Sequence, residues 1–351
     1  MPVDLTADLP DLLMAITDIE SVSGNEGPLA DAVATALSAH PHLVVERDGD
    51  AVVARTDLGR GTRVVVAGHL DTVPVAANLP SWREGDLIYG RGTCDMKGGV
   101  AVMLAAAARL SAPRHDVTWI FYDNEEVEAV KNGLGRLART RPDLLAGDFA
   151  VLMEPTGARI EGGCQGTLRF EVTTTGTAAH SARSWLGHNA IHDAGALLRT
   201  LSDYTPRTVE VEGLEYREGL NAVGITGGIA GNVIPDRCAI TVNFRFAPDR
   251  SIEDAKAHCV EVFAGHELVF TDESPAARPG LDRPAAAEFL AAVGGEPRAK
   301  YGWTDVARFS ALGVPAVNFG PADPGKAHTD DEFCPVADLH TCHEALLRWL
   351  A

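Results

Sequence analysis

Val64-Val65-Val66-Ala67-Gly68-His69-Leu70-Asp71-Thr72 is the stretch on which the reading of this 351-residue chain turns. Three consecutive valines in an apolar run suit a parallel strand covered on both faces. Gly68 lets the backbone turn closely, and His69 and Asp71 arrive where the strand ends. Two positions apart in an extended segment, their side chains point to the same side. A histidine that ligates a metal has its second ring nitrogen held by an acceptor, often a carboxylate. His-X-Asp at a strand end supplies both parts.

Two more apolar strands end in the same manner. Asp116 to Asp123 runs into Asn124-Glu125-Glu126, and Phe149 to Met153 runs into Glu154-Pro155-Thr156. In open α/β sheets, ligands bind beyond the carboxyl ends of the strands. Upstream, the pattern predicts a helix over Leu5 to Ile19 and a second over Glu26 to Ala39, capped by Ser23 or Asn25. A hairpin is expected around Asp48-Gly49-Asp50. Between the first two strands, four glycines surround Asp95 in Tyr89 to Gly99, a segment bent to aim one side chain. It lacks the Lys-Ser/Thr ending of a Walker A loop. The helix that follows, Val100 to Leu110, is apolar nearly all round and is expected to be buried.

From Gly166 the pattern alternates, in Leu168 to Thr173 and again in Ile240 to Phe246, as in an antiparallel sheet with one wet face. Helices are expected near Asn189 to Leu201 and over Ser251 to Val262, with a glycine-rich segment at Gly224 to Gly231 and a strand at Glu267 to Thr271. This order reads as a small α+β sandwich inserted at residues 167–279. The first domain, α/β in class, then comprises residues 1–166 and 280–351. It resumes with helices at Pro284 to Val293 and at Thr304 to Leu312, the latter capped by Thr304. A strand at Val314 to Phe319, a loop reaching His328 and a closing helix from Val336 to Trp349 complete it.

Forty-nine acidic against thirty basic residues give a net charge of −19. That balance argues against nucleic acid and anionic membrane as partners, since phosphate binding needs a basic surface. None of the six cysteines forms a CxxC pair, so a Cys-rich structural zinc site is not expected. Reduced thiols in a cytoplasmic enzyme fit this usage. The acidic start Met1-Pro2-Val3-Asp4 reads as neither signal peptide nor membrane span.

The candidate metal ligands are His69, Asp95, Glu126, Glu154 and His328. Imidazole with carboxylate suits Zn²⁺ or Co²⁺ better than Ca²⁺. Five ligands exceed one tetrahedral site with an open position and fit two cations sharing a carboxylate. About three carboxylate charges then stand against four from the cations. One member of the Glu125-Glu126 pair can ligate while the other serves as general base. The reaction class this chemistry supports is amide hydrolysis.

The segments GHLDTVP (68–74), YGRGTCDMKGG (89–99), DNEE (123–126), MEPT (153–156) and AHTDDE (327–332), in this order, resemble the metallopeptidase M20 family of di-zinc deacylases and aminoacylases. The resemblance extends through AAHSAR (178–183) and GNVIPDRCAITVNFRF (231–246). It implies a phosphorylase/hydrolase-like di-zinc catalytic domain with an inserted ferredoxin-like dimerisation domain, two Zn²⁺ or Co²⁺ ions, a homodimer and a small N-acyl amino-acid substrate. By the same resemblance, His69, Asp95 and Glu154 hold one cation, and Asp95, Glu126 and His328 the other. Glu125 is then the base, Asp71 orients His69, and a cis peptide follows Asp95. His180 reaches the partner's active site. Arg245, Asn232, Thr304 and Arg183 contact substrate. Within the family the run GGCQGT (162–167) is most similar to the desuccinylases of the lysine route. Some of those carry Arg-Arg-Gly where this chain has Cys164-Gln165-Gly166, which keeps acetyl-amino-acid hydrolysis as the alternative.

Overall fold

The computed structural model describes residues 3–351, so Met1 and Pro2 of the acidic start lie outside the described residues. The chain forms two compact units. The first comprises Met1–Gly163, Pro279–Arg298 and Asp305–Ala351, and the second Cys164–Arg278 with Ala299–Thr304. The short return Ala299–Thr304 therefore packs with the insert rather than with the first unit. One tie is the Tyr301 hydroxyl, which donates to the Glu215 carbonyl at 3.3 Å.

An eight-stranded mixed sheet forms the centre of the first unit. Its first six strands, in spatial order, are Val44–Asp48, Ala51–Arg55, Asp116–Tyr122, Arg63–His69, Phe149–Leu152 and Ala316–Asn318. The last four run parallel. Val64, Val65, Val66 and Ala67 are buried, as a two-face-covered strand requires. The hairpin around residues 48–50 is present. The helix Gly98–Arg109 is buried over most of its circumference. Its start lies so close to the third of the apolar strands that a Cβ on Gly99 would sit 2.2 Å from the Met153 carbonyl, so only glycine fits there. That contact sets the helix directly beside Glu154.

Some local expectations are corrected. Neither Ser23 nor Asn25 caps the second helix, Gly27–Ser38; its cap residue, Glu26, makes no side-chain cap bond. The Ser23 hydroxyl is drawn instead to the Asp71 carboxylate, at 2.7 Å. Thr304 likewise starts no helix, which begins at Val306 after Asp305. The first helix is Leu9–Thr17, capped by Asp8. Among the described residues, no helix is long and apolar enough to cross a membrane.

In the second unit, strands Gly219–Gly227, Arg237–Phe246, Gly166–Thr175 and Leu268–Ser274 form an antiparallel sheet in that order. Helices Ala190–Asp203, capped by Asn189, and Ile252–Val262, opened by a Ser251–Asp254 capping box, pack on one face with Phe170, Val172, Ile240 and Phe244. Much of the glycine-rich segment belongs to an edge strand, not a loop. That edge strand carries the exposed apolar residues Val223 and Ile225.

Candidate metal centre

Parallel strands bring the first unit's predicted ligands to one end of the sheet. His69 closes its strand opposite Tyr122, one residue before the Asp123–Glu126 turn. Arg136 fixes that turn by forking onto both Asp123 oxygens, at 2.7 and 3.0 Å. Asn124 takes the left-handed conformation there, at φ 57°. His328 does the same at φ 64°, an uncommon state for a non-glycine residue and one that clusters at functional sites.

The Asp95 carboxylate lies between two imidazoles. Its Oδ1 is 3.1 Å from His69 Nε2, and its Oδ2 is 3.4 Å from His328 Nε2. His328 Nε2 also lies 2.9 Å from Glu126 Oε1. Ligand atoms of His69, Asp95 and Glu126 all fall within 4.8 Å of one another, which brings these donors into one metal-capable cluster. Tetrahedral sites with arms of about 2.0–2.1 Å place their ligand atoms about 3.4 Å apart. The two Asp95 separations lie near that edge, one imidazole on each oxygen of a single carboxylate, so these side chains suit metal binding. Glu154 is buried at the end of the third strand, and its charge acts on Glu125 and Tyr122. The Asp95–Met96 peptide is cis.

Asp71 does more than the sequence implied. The closest acceptor for His69 Nδ1 is the Asp71 backbone carbonyl, at 3.0 Å, with the carboxylate at 3.5 Å. The carboxylate itself accepts the Glu125 and Glu126 N–H groups, at 2.9 and 3.0 Å, and the Ser23 hydroxyl. One residue thus fixes the imidazole through its backbone and the glutamate pair through its side chain.

The electrostatics follow from this crowding. Burial works against the His69 imidazolium, but hydrogen bonds to Asp71 and Asp95 outweigh it and raise its pKa well above the ordinary value. His328, held by Asp95 and then Glu126, is pushed up to about 10. Burial is the largest influence on Asp95, yet the two imidazoles hold it well below the usual carboxylate range. Glu125 moves the other way: burial, reinforced by Asp305, Glu154 and Glu126 against the pull of His69, raises it well above 4.5. A carboxyl pushed toward neutrality beside others that stay ionised is the pattern of an acid–base group.

The remaining predicted residues belong to the second unit. His180 is exposed, pairs with Val233 across a two-residue ladder, and accepts the Ala182 N–H at 3.1 Å. Ser181 N–H donates to the Asn232 carbonyl, which gathers His180, Asn232 and the nearby Arg183 in one corner. Arg245 is half-buried on the wet face, opposite Thr167 and Gly219. Thr304 is buried, and its carbonyl faces the Cys164 thiol. Sequence reasoning missed Ser23, Arg91, Asp305 and Glu332 as parts of the site. Each acts through a partner distant in sequence, and only Arg91, inside YGRGTCDMKGG, and Glu332, inside AHTDDE, fall near a predicted ligand in a family motif.

Residues 65–351 match the profile of peptidase family M20/M25/M40. A Mycobacterium tuberculosis protein provisionally named succinyl-diaminopimelate desuccinylase DapE is 53% identical over 99% of both chains. The succinyl-diaminopimelate desuccinylase of Corynebacterium glutamicum is 46% identical, covering 99% of this chain and 98% of its own. Among solved structures, Bacillus subtilis YXEP, described as a dinuclear metal-binding peptidase, superposes with a TM-score of 0.72 at 17% identity, over 97% of this chain and 96% of its own. That last likeness concerns the fold alone.

Proposed function

The chain belongs to peptidase family M20/M25/M40, and on that premise we propose that it is a metal-dependent amide hydrolase. It converts N-succinyl-L,L-2,6-diaminopimelate to succinate and L,L-2,6-diaminopimelate in lysine and diaminopimelate biosynthesis. The observation that carries the reading is near-full-length identity of 53% and 46% to relatives bearing that name. The site supports it: two imidazoles, His69 and His328, lie against the Asp95 carboxylate, and Glu126 against His328, a donor set suited to a metal-dependent hydrolase.

His69, Asp95 and Glu154 would hold one Zn²⁺ or Co²⁺, and Asp95, Glu126 and His328 the other. When bound, such cations polarise the amide carbonyl and acidify water. Glu125 takes the proton of the attacking water and returns it to the leaving nitrogen. Asp71 keeps Glu125 in place through its backbone N–H, so the side chain stays available for that transfer. Arg245, Asn232, Thr304 and Arg183 are the proposed partners of the substrate's polar groups.

One observation favours N-acetyl substrates, acetylornithine among them, as the second reading. Where some desuccinylases carry paired arginines, Cys164 is buried and the Gln165 amide is committed to the Arg217 carbonyl at 2.6 Å. Neither supplies a positive charge for a succinyl carboxylate. Parallel kcat/KM values on succinyl-diaminopimelate and acetylornithine decide between them. The desuccinylase reading expects the former to exceed the latter by at least about 100-fold, roughly one charge-assisted hydrogen bond. A preference for acetylornithine would reverse the assignment.

The protein is proposed to act as a cytoplasmic homodimer joined through its second unit. Support comes from the edge strand Gly219–Gly227, which carries exposed Val223 and Ile225, and from exposed Trp185, Leu186 and Ile229. An apolar sheet edge of this kind invites a partner strand. His180 would then serve the neighbouring subunit's substrate. His180→Ala should lower kcat by about 10²–10³-fold, in the range of one oxyanion donor, with cation content and dimer mass unchanged. Unaltered kcat, or a monomer in sedimentation, would leave His180 an ordinary surface residue.

A further inference from the structure

Arg91 and Glu332 form an ion pair at 2.8 Å with side chains only 3% and 1% exposed. Such a pair is weak evidence for stability, because desolvating both charges offsets most of their attraction. Its contacts suggest a different use. Glu332 Oε1 accepts the N–H groups of Cys94 and Asp95, at 3.0 and 3.1 Å. Arg91 donates to Glu332 Oε2 and to the carbonyls of Pro74 and Thr329, at 3.0 and 3.2 Å. Pro74 follows the Asp71 turn, and Thr329 follows His328. Three loops that carry site residues are therefore pinned to one buried pair, and the Asp95 backbone is gripped directly.

We propose that the Arg91–Glu332 pair positions the second cation site, holding the shared Asp95 carboxylate and the His328 loop at a fixed separation. The inference rests on the two-cation reading. Neither side chain is among the proposed ligands or substrate contacts, and both act on the site through the backbone, so both are positioning residues. Two ligands of the second site, Asp95 and His328, are adjacent to its contacts, but only Asp95 of the first. Its loss should therefore be felt unequally. A side chain that only supported the fold would weaken both sites alike, or neither.

The test is Co²⁺ titration of the full-length chain, followed by absorption for each equivalent. In Glu332→Gln the amide nitrogen would face either Arg91 or the two N–H groups, donor against donor. Affinity for the Co²⁺ of the second site, read as one of the two equivalents weakening alone, should fall about 10–100-fold, the usual range for groups that orient ligands. That of the first site should change less than about threefold, by the same reasoning. Arg91→Lys keeps the charge but cannot reach Glu332 and both carbonyls with one ammonium, so a smaller loss in the same direction is expected. Should Glu332→Gln fail to fold, Arg91→Lys decides alone. Wild-type affinity and spectrum for both Co²⁺ equivalents in the folded variants would overturn the proposal. A wild-type chain that takes only one Co²⁺ would instead overturn the two-cation reading on which it rests.

Discussion

Glu125→Gln should retain both cations and lose turnover by about 10²–10⁴-fold, the contribution of a positioned proton-transfer group. The upper figure corresponds to about 5.5 kcal/mol of barrier. The substitution is nearly isosteric. What fixes residue 125 is its backbone N–H on Asp71 Oδ1, at 2.9 Å, which a glutamine backbone keeps. Glu126 faces His328 independently, so the ligand set is untouched. Only the ability to take a proton disappears. Burial raises the pKa of Glu125, the direction an acid–base carboxyl needs. Metal analysis and kcat measured on one preparation check this: near-wild-type kcat with two cations present would remove Glu125 from the mechanism.

The sheet, and the strand ends where His69 and Glu154 stand, are legible because each depends on strong local signals. Apolar strands of seven and four residues, Asp116–Tyr122 and Phe149–Leu152, announce their ends when carboxylates interrupt them. Alternation in Arg237–Phe246 likewise marked the half-wet sheet of the second unit. Assigning Glu125 as base and Glu126 as ligand was a different matter. Adjacent glutamates look alike in sequence, and only the family resemblance tells them apart. What stayed hidden was long-range satisfaction of polar groups. Ser23 suits a helix cap by type, yet Asp71, 48 residues away, takes its hydroxyl. Thr304 suits a cap as well, but the helix starts past it, where Asp305 is buried between Asn132 and Arg308. A buried carboxylate must find donors wherever the fold brings them. Periodicity carries no record of that demand. The strand at Gly219–Gly227 was obscured for another reason: glycines weaken the β-signal, and pairing with Arg237–Phe246 overrides it.

Asp95→Asn should reduce cation content from two to at most one and lower kcat by at least about 10³-fold, through loss of the electrostatic stabilisation the cations supply. An asparagine has one oxygen able to ligate, and its NH₂ is a donor only. Asp95 presents one oxygen to each imidazole. Whichever way the amide turns, its nitrogen displaces the ligand atom on one side. Charge acts in the same sense. With three carboxylates, two divalent cations leave an excess of about one positive charge; with two, about two. The backbone consequences are small, because the residue-95 N–H can still donate to Glu332. Side by side the two substitutions separate base from bridge: Glu125→Gln keeps the cations and loses the proton transfer, and Asp95→Asn loses a cation first. If Asp95→Asn bound two cations with wild-type affinity, the shared carboxylate would have to be another residue, and the pairing of His69 with His328 through Asp95 would lose its meaning.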